Sequence, residues 1–324
     1  MAAHRLLLAF AFAASLWSAG RRYQMEGRIT PGAPASVSLF GATTPFHTST
    51  LSDRGGQFRF RELWPGQYTV VVFVPGTGEA RRTVEVGPGT SDAKHRVRIH
   101  FDFEDSRAVS SEALRAGAVV SARALSIPDA ARRAYAGAQT KLARHDVESA
   151  IVQLRWAVEI APHFAAAWNN LGTIAYQSRA FSEAESHFRT ALEHEPGSFE
   201  PLVNLGGVLL TEEKLTEALQ YNRHAVLTRP RDALANAQLG LTYFALGNLD
   251  LAHKHLVIAT QIDPAHFSYP QLTLAQIYAR RGDLGSAAEQ FREFLKHHPD
   301  APQAARARLA LEKADGPAAL AAGK

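Results

Sequence analysis

The 324-residue sequence contains no cysteine. That excludes disulfides, thiolate zinc sites, a cysteine nucleophile and a lipidated-cysteine anchor. A strong excess of one charge is also missing, since 35 Lys and Arg face 31 Asp and Glu, for a net charge of +4. The basic residues are scattered rather than clustered, so no nucleic-acid partner is expected. His-Glu-x-x-His, a Walker loop, Gly-x-Gly-x-x-Gly and Gly-x-Ser-x-Gly are all absent. With no such constellation the chain is expected to be no enzyme, with no cofactor and no bound metal. Low hydrophobicity is missing too: 46% of residues are hydrophobic and 20% charged, which argues against wholesale disorder. The length suits two domains.

Fourteen histidines are present. His253 and His255 stand two apart and point in different directions on a helix. His297 and His298 end a helix before Pro299, where a basic group suits the dipole. His187 and His255 take equivalent places in separate repeats. All are expected to be solvated rather than metal ligands.

Met1–Gly20 reads as a secretory signal peptide. His4 and Arg5 precede an apolar run over Leu6–Trp17. At about 1.5 Å per residue those twelve residues span roughly 18 Å, against the roughly 30 Å of a bilayer core. Ser18 and Gly20 suit a cut before Arg21. No later segment resembles a membrane span. The expectation is an exported protein, periplasmic or secreted, with no membrane span once the signal is removed.

Residues 21–105 read as an all-β sandwich of seven strands. Phe58 and Phe60 alternate with Gln57, Arg59 and Arg61. Tyr68, Val70, Val72 and Val74 share one face of the next run, and Val97, Ile99 and Phe101 alternate with Arg96, Arg98 and His100. Pro-Gly turns at 31, 65, 75 and 88 separate the runs. The stretch from Asp53 and Gly56 through Phe58, Phe60 and Leu63 to Pro65-Gly66 and Tyr68 resembles the carboxypeptidase regulatory-like domain, a transthyretin-like sandwich. Gly27-Arg28-Ile29 and Ala35–Leu39 fit that family's first strands. Its motif residues serve turns and packing, not catalysis. The resemblance leaves room for a glycan partner, although Trp64 beside its turn reads as a packing residue and no second exposed Trp accompanies it.

Residues 106–127 read as a linker. A 34-residue period then takes over. Prolines recur at 162, 196, 230 and 264, then at 299 after one extra residue. Ala150, Ala184, Ala218, Ala252 and Ala287 keep the same step, as do Ala138, Gly172, Gly206, Gly240 and Ala275. Leu171, Leu205, Leu239 and Leu274 lie between them. Together with Trp168-Asn169-Asn170-Leu171-Gly172, the pattern resembles the tetratricopeptide repeat. It implies an all-α solenoid of five helix pairs over 128–301, a capping helix over 302–315 and a disordered tail over 316–324. Gly247 and Gly282 suit the turns within pairs, and Ser182 with Glu185 suits a capping box. Ala134 and Gly137 leave the first repeat thinly packed, as an end that docks on the linker or sandwich. Asn222 stands where a large apolar residue is usual.

In this family the first helices of the pairs line a concave groove. Register places Tyr135, Asn169, Asn170, Thr173, Tyr176, Asn204, Leu210, Gln238, Leu241, Phe244, Gln276 and Arg280 on that face, with Gln177, Glu200 and Tyr269 among their neighbours. An amide ladder beside aromatic and aliphatic side chains suits an extended peptide; the alternative is that the amides satisfy bonds between helices. The paired Lys/Arg set of the chaperone-binding repeat proteins is absent. The expected function is an exported, non-enzymatic scaffold or adaptor that binds a peptide segment or partner protein in this groove. The alternatives are a glycan- or envelope-binding protein acting through the sandwich, and an accessory subunit of an exported enzyme.

Overall fold

The computed structural model describes residues 21–103, 109–110 and 126–315. The expected signal peptide, most of the expected linker and the expected tail lie outside the described residues. The strands are β1 (Tyr23–Thr30), β2 (Ser36–Gly41), β3 (His47–Leu51), β4 (Gln57–Leu63), β5 (Gly66–Val74), β6 (Gly78–Val86), β7 (Arg96–Asp102) and the two-residue β8 (Val109–Ser110). They form one three-stranded sheet in the order β4-β1-β7 and one five-stranded sheet in the order β3-β2-β5-β6-β8. β8 is an addition to the seven expected strands and falls within the expected linker.

Alternation sets the sandwich core. Met25, Val37, Leu39, Val70, Val72 and Phe101 are buried between the sheets, and each alternates with a residue on the other face of its strand. Gly27 admits the Phe58 ring, whose Cζ lies 1.9 Å from where a Cβ would stand. On the outer face of the five-stranded sheet, β5 presents Gln67 and Thr69, and β6 presents Glu79, Arg81, Thr83 and Glu85. Solvent normally covers such a face. Here Gln67, Thr83 and Glu85 are buried.

Eleven helices follow among the described residues: α1 (Asp129–Leu142), α2 (Val147–Ile160), α3 (Ala165–Gln177), α4 (Phe181–His194), α5 (Phe199–Thr211), α6 (Leu215–Thr228), α7 (Ala233–Ala245), α8 (Leu249–Ile262), α9 (Pro270–Arg280), α10 (Leu284–His297) and α11 (Ala304–Asp315). Ten pair antiparallel and the last caps the stack. The period works through close approach. A Cβ at Gly172 would stand 2.6 Å from the Phe188 ring, and one at Gly240 would stand 2.7 Å from Leu256 Cγ. Each pair turns through one left-handed residue, at His145, Arg179, Glu213, Gly247 and Gly282. Glycine suits that conformation best, which is why only the last two were legible. The capping box is not formed. Ala180 occupies the N-cap of α4 without a side-chain bond. Ser182 donates instead to Glu212, and Glu185 is held by Arg189 and Lys214 at 2.6 Å each.

Asn222 is fully buried at the place held by Leu154, Phe188 and Leu256 in other repeats. Its Nδ2 donates to Thr242 Oγ1 at 2.9 Å, but its Oδ1 has no partner and faces Gly206. Leucine removes the orphaned oxygen and restores the packing of the neighbouring repeats. Asn222→Leu is expected to stabilise the chain by about 2 kcal/mol. The check is a higher urea midpoint at an unchanged slope. A lower midpoint means the Asn222–Thr242 bond outweighs the orphaned oxygen.

Candidate functional site: the face of the first helices

The first helix of each pair contributes to one face. Near its start the expected amide ladder is bonded to itself. Asn204 Nδ2 donates to Asn169 Oδ1 at 3.0 Å, and Asn170 Nδ2 donates to the Tyr135 hydroxyl at 3.1 Å. Thr173 bonds back to the Asn169 carbonyl at 2.9 Å. Gln238 packs over Gly207, with its Oε1 buried and unpaired. Asn169, Asn170 and Asn204 therefore join successive repeats through hydrogen bonds, the alternative given for the amides.

Towards the helix ends the face changes character. The Tyr176 hydroxyl lies 3.3 Å from Thr211 Oγ1, and the residue is 38% exposed. Leu210, Leu241 and Phe244 are half-buried. The Arg280 guanidinium stacks 4.6 Å above the Phe244 ring, a cation–π contact at the edge of solvent. Gln276 and Arg280 are exposed. This strip is apolar at its base and polar at its rim.

The sandwich lies across the remainder. Gln177 Nε2 donates to the Gly41 carbonyl at 3.0 Å, at the end of α3. Arg81 Nη2 reaches Glu200 Oε1 at 3.2 Å, at the start of α5. The Thr83 main-chain N–H donates to Asp263 Oδ2 at 2.9 Å. Gln67 Nε2 donates to the Tyr269 hydroxyl at 2.8 Å. The Gly89 N–H donates to Asp300 Oδ2 at 2.7 Å. Phe46 stacks on His145 with ring centroids 4.7 Å apart, and Trp64 is 5.4 Å from the same ring. Arg22 stacks over Trp64 at 4.1 Å, so this tryptophan packs at the domain junction. α1 also packs against β3, so the thin first repeat does dock on the sandwich. Gln177, Glu200 and Tyr269 were placed on this face by register. Gln67, Thr83, Asp263 and Asp300 were not, because a polar residue on an outer strand or in a turn looks the same whether it meets water or a second domain.

The electrostatics follow from burial. Asp263 is 4% exposed. Desolvation pushes its carboxyl up to about 6, against the bonds from Thr83. His266 is pushed down to about 3 by its burial and by the neighbouring His298, so it stays neutral. Burial also opposes the ionised form of Glu200, but Arg229 and Arg81 outweigh it and hold the carboxyl below its ordinary value. Burial raises the carboxyl of Asp232, which lies within electrostatic reach of Arg81. Between β6 and the repeat junctions lies a cavity of about 590 Å³, walled by Phe101, Leu234, Ile258 and Phe267. Among the described residues no three His, Asp or Glu side chains gather as metal ligands. His253 instead meets the Tyr278 hydroxyl at 2.8 Å, and His255 meets Asn236 Oδ1 at 3.0 Å. No described helix is long and apolar enough to cross a membrane.

Comparison with known proteins agrees with this architecture. The carboxypeptidase regulatory-like domain matches residues 26–99. Tetratricopeptide repeat models match residues 135–201, 175–232 and 270–311. The human cell division cycle protein 16 homolog is 31% identical over 105 residues, which are 30% of this chain and 17% of that protein. The Drosophila melanogaster BBSome complex member BBS4 homolog is 23% identical over 162 residues, 48% of this chain and 33% of that protein. The chain thus spans a third or less of the length of these curated relatives. Among solved structures, the type IV pilus biogenesis factor PilW shares 22% identity at a TM-score of 0.50, over 57% of this chain and 90% of that one. MamA from Desulfovibrio magneticus RS-1 shares 22% identity at a TM-score of 0.48, over 55% of this chain and 99% of that one.

Proposed function

We propose that this chain, a carboxypeptidase regulatory-like sandwich carried on a tetratricopeptide-repeat solenoid, is an exported, non-enzymatic adaptor that binds a peptide segment of a partner protein. The repeat array is a protein-interaction scaffold. The observation that carries the finer reading is the strip of Tyr176, Leu210, Leu241, Phe244, Gln276 and Arg280, which, among the described residues, no hydrogen bond from the sandwich uses. Aromatic anchors with a polar rim are what a peptide-binding face requires. The expected ligand is an extended segment with apolar side chains, and an acidic residue near Arg280 would complement its charge. Export rests on the Met1–Gly20 pattern, and cleavage before Arg21 would appear as a mature mass lacking twenty residues.

Selection of linear peptides on the full chain tests the binding face. Binders are expected to lose at least about tenfold in affinity to the Tyr176→Ala, Phe244→Ala double variant, roughly 1.4 kcal/mol. Selected peptides that bind this variant as tightly as the parent would place the binding surface elsewhere. Failure to select any peptide would refute the peptide-adaptor reading.

A further inference from the structure

The groups at the repeat junctions form a second surface, separate from the strip above. Glu200 lies in the first turn of α5, Asp263 directly follows α8, and Asp300 precedes α11. They accept, in that order, from the Arg81 guanidinium, the Thr83 main-chain N–H and the Gly89 main-chain N–H. All three donors belong to β6 and the turn that follows it. Two of them are backbone groups that any extended segment supplies. The third demands an arginine, which Glu200 and Asp232 both favour. Among the described residues β8 pairs with β6 at Gly78 and Glu79, and the Thr83 N–H further along β6 goes to Asp263.

The seated strand leaves part of the surface unsatisfied. His298 is fully buried, and neither of its ring nitrogens has a hydrogen-bond partner. Glu85 Oε2, on β6 itself, lies at ion-pair distance from His298 Nδ1, 3.5 Å, but makes no hydrogen bond. Buried polar groups left in that state weaken an interface. The 590 Å³ cavity lies along the same strand. A segment that paired the His298 ring and filled this space would hold the surface better than β6 does.

We propose that this junction row is a partner-binding surface occupied in cis by the chain's own β6, and that its external partner is an extended, arginine-bearing segment that takes β6's place. The surface is self-covered, and access to it requires the sandwich to lift. The apparent affinity of an external segment is then the intrinsic affinity reduced by the fraction of chains that are open.

The test uses a fluorescein-labelled peptide copying residues 78–90, read by fluorescence anisotropy against the full chain. Arg81→Glu in the chain sets a carboxylate against Glu200 and Asp232. It opens the row without altering the row itself. The peptide is expected to bind the Arg81→Glu chain at least tenfold tighter than the parent. A control peptide with both arginines changed to glutamate should not bind. Equal affinity for the two chains, no binding to the opened chain, or equal binding of the control each overturns the proposal. If Arg81→Glu fails to fold, a Gly87→Cys, Asp300→Cys chain replaces it. Asp300 is lost from the row in both of its redox forms, while Glu200 and Asp263 remain; the reduced form should bind the peptide and the oxidised form should not, and equal binding to both forms is again fatal. None of these outcomes depends on the Tyr176–Arg280 strip.

Discussion

Oxidation of a Gly87→Cys, Asp300→Cys variant will fasten the sandwich to the end of the solenoid and raise the melting temperature of the whole chain. Gly87 follows β6 directly, and Asp300 lies in the turn before α11. A Cβ built on Gly87 stands 3.6 Å from the Asp300 Cβ, within the roughly 3.5–4.5 Å that a disulfide spans. Gly87 is absent from the residues with a left-handed backbone, so cysteine fits there without strain. The parent has no cysteine, so this pair is the only disulfide that can form within the chain. The bond closes a loop of about 210 residues, for which the chain-entropy model gives a ceiling of about 5 kcal/mol. Loss of the Gly89–Asp300 hydrogen bond costs about 1 kcal/mol. That bond is missing from both redox forms, so oxidised protein is expected to exceed reduced by up to about 5 kcal/mol and the parent by up to about 4 kcal/mol, measured by calorimetry with and without reductant. Failure to oxidise, or oxidised and reduced forms that melt together, would mean the sandwich does not rest on this face.

The fold was legible because both domains repeat a simple rule. Alternation at Phe58, Phe60, Tyr68, Val70 and Val72 marked strands that are buried on one side. The step that runs through Gly172, Gly206 and Gly240 marked helices that cross closely enough to exclude a side chain. Beyond the thin first repeat, the docking was not legible. Arg81, Thr83 and Glu85 follow the polar-out rule of a strand facing water, and nothing local in the sequence says that a second domain replaces the water. Asp263 before Pro264 reads as a turn, and Asp300 after Pro299 reads the same way. The amide ladder shows the limit from the other side. Register placed Asn169, Asn170 and Asn204 on the correct helices, but it could not show that Asn204 would meet Asn169 and that Asn170 would meet Tyr135. Partner choice between side chains depends on the offset between neighbouring repeats, which periodicity along one chain does not encode. Tyr269 lies beside a sequence irregularity whose meaning only the docking reveals. The single extra residue before the fifth repeat falls beside it; the Tyr269 backbone is left-handed and its hydroxyl accepts from Gln67.

Asp263 should make the docked chain more stable as the solution is acidified from neutrality. Its carboxyl is raised to about 6 in the folded protein from an ordinary value of 3.8, with burial as the leading cause. Between those values the native state holds a proton that the unfolded chain has released. Stability contributed by this group is therefore fully present below 3.8, and it is lost as the pH rises through 6. The difference of about two pKa units corresponds to about 3 kcal/mol. Other carboxylates titrate in the same range, so the measurement is a difference of differences. Unfolding free energies of the parent and Asp263→Asn are compared at pH 7 and at pH 4. Asparagine does not titrate, and its carbonyl can still accept from the Thr83 N–H. The parent is expected to gain about 2–3 kcal/mol on the variant over that interval. A gain in the opposite direction would require an ionised Asp263 stabilised by a cation. Arg82 is the cation placed to do so, but it lies beyond ion-pair distance, above the Phe101 ring at 5.9 Å. Arg82→Gln then separates the two cases. It leaves the pH response of the parent intact if desolvation governs Asp263, and it removes the response if Arg82 holds the charge.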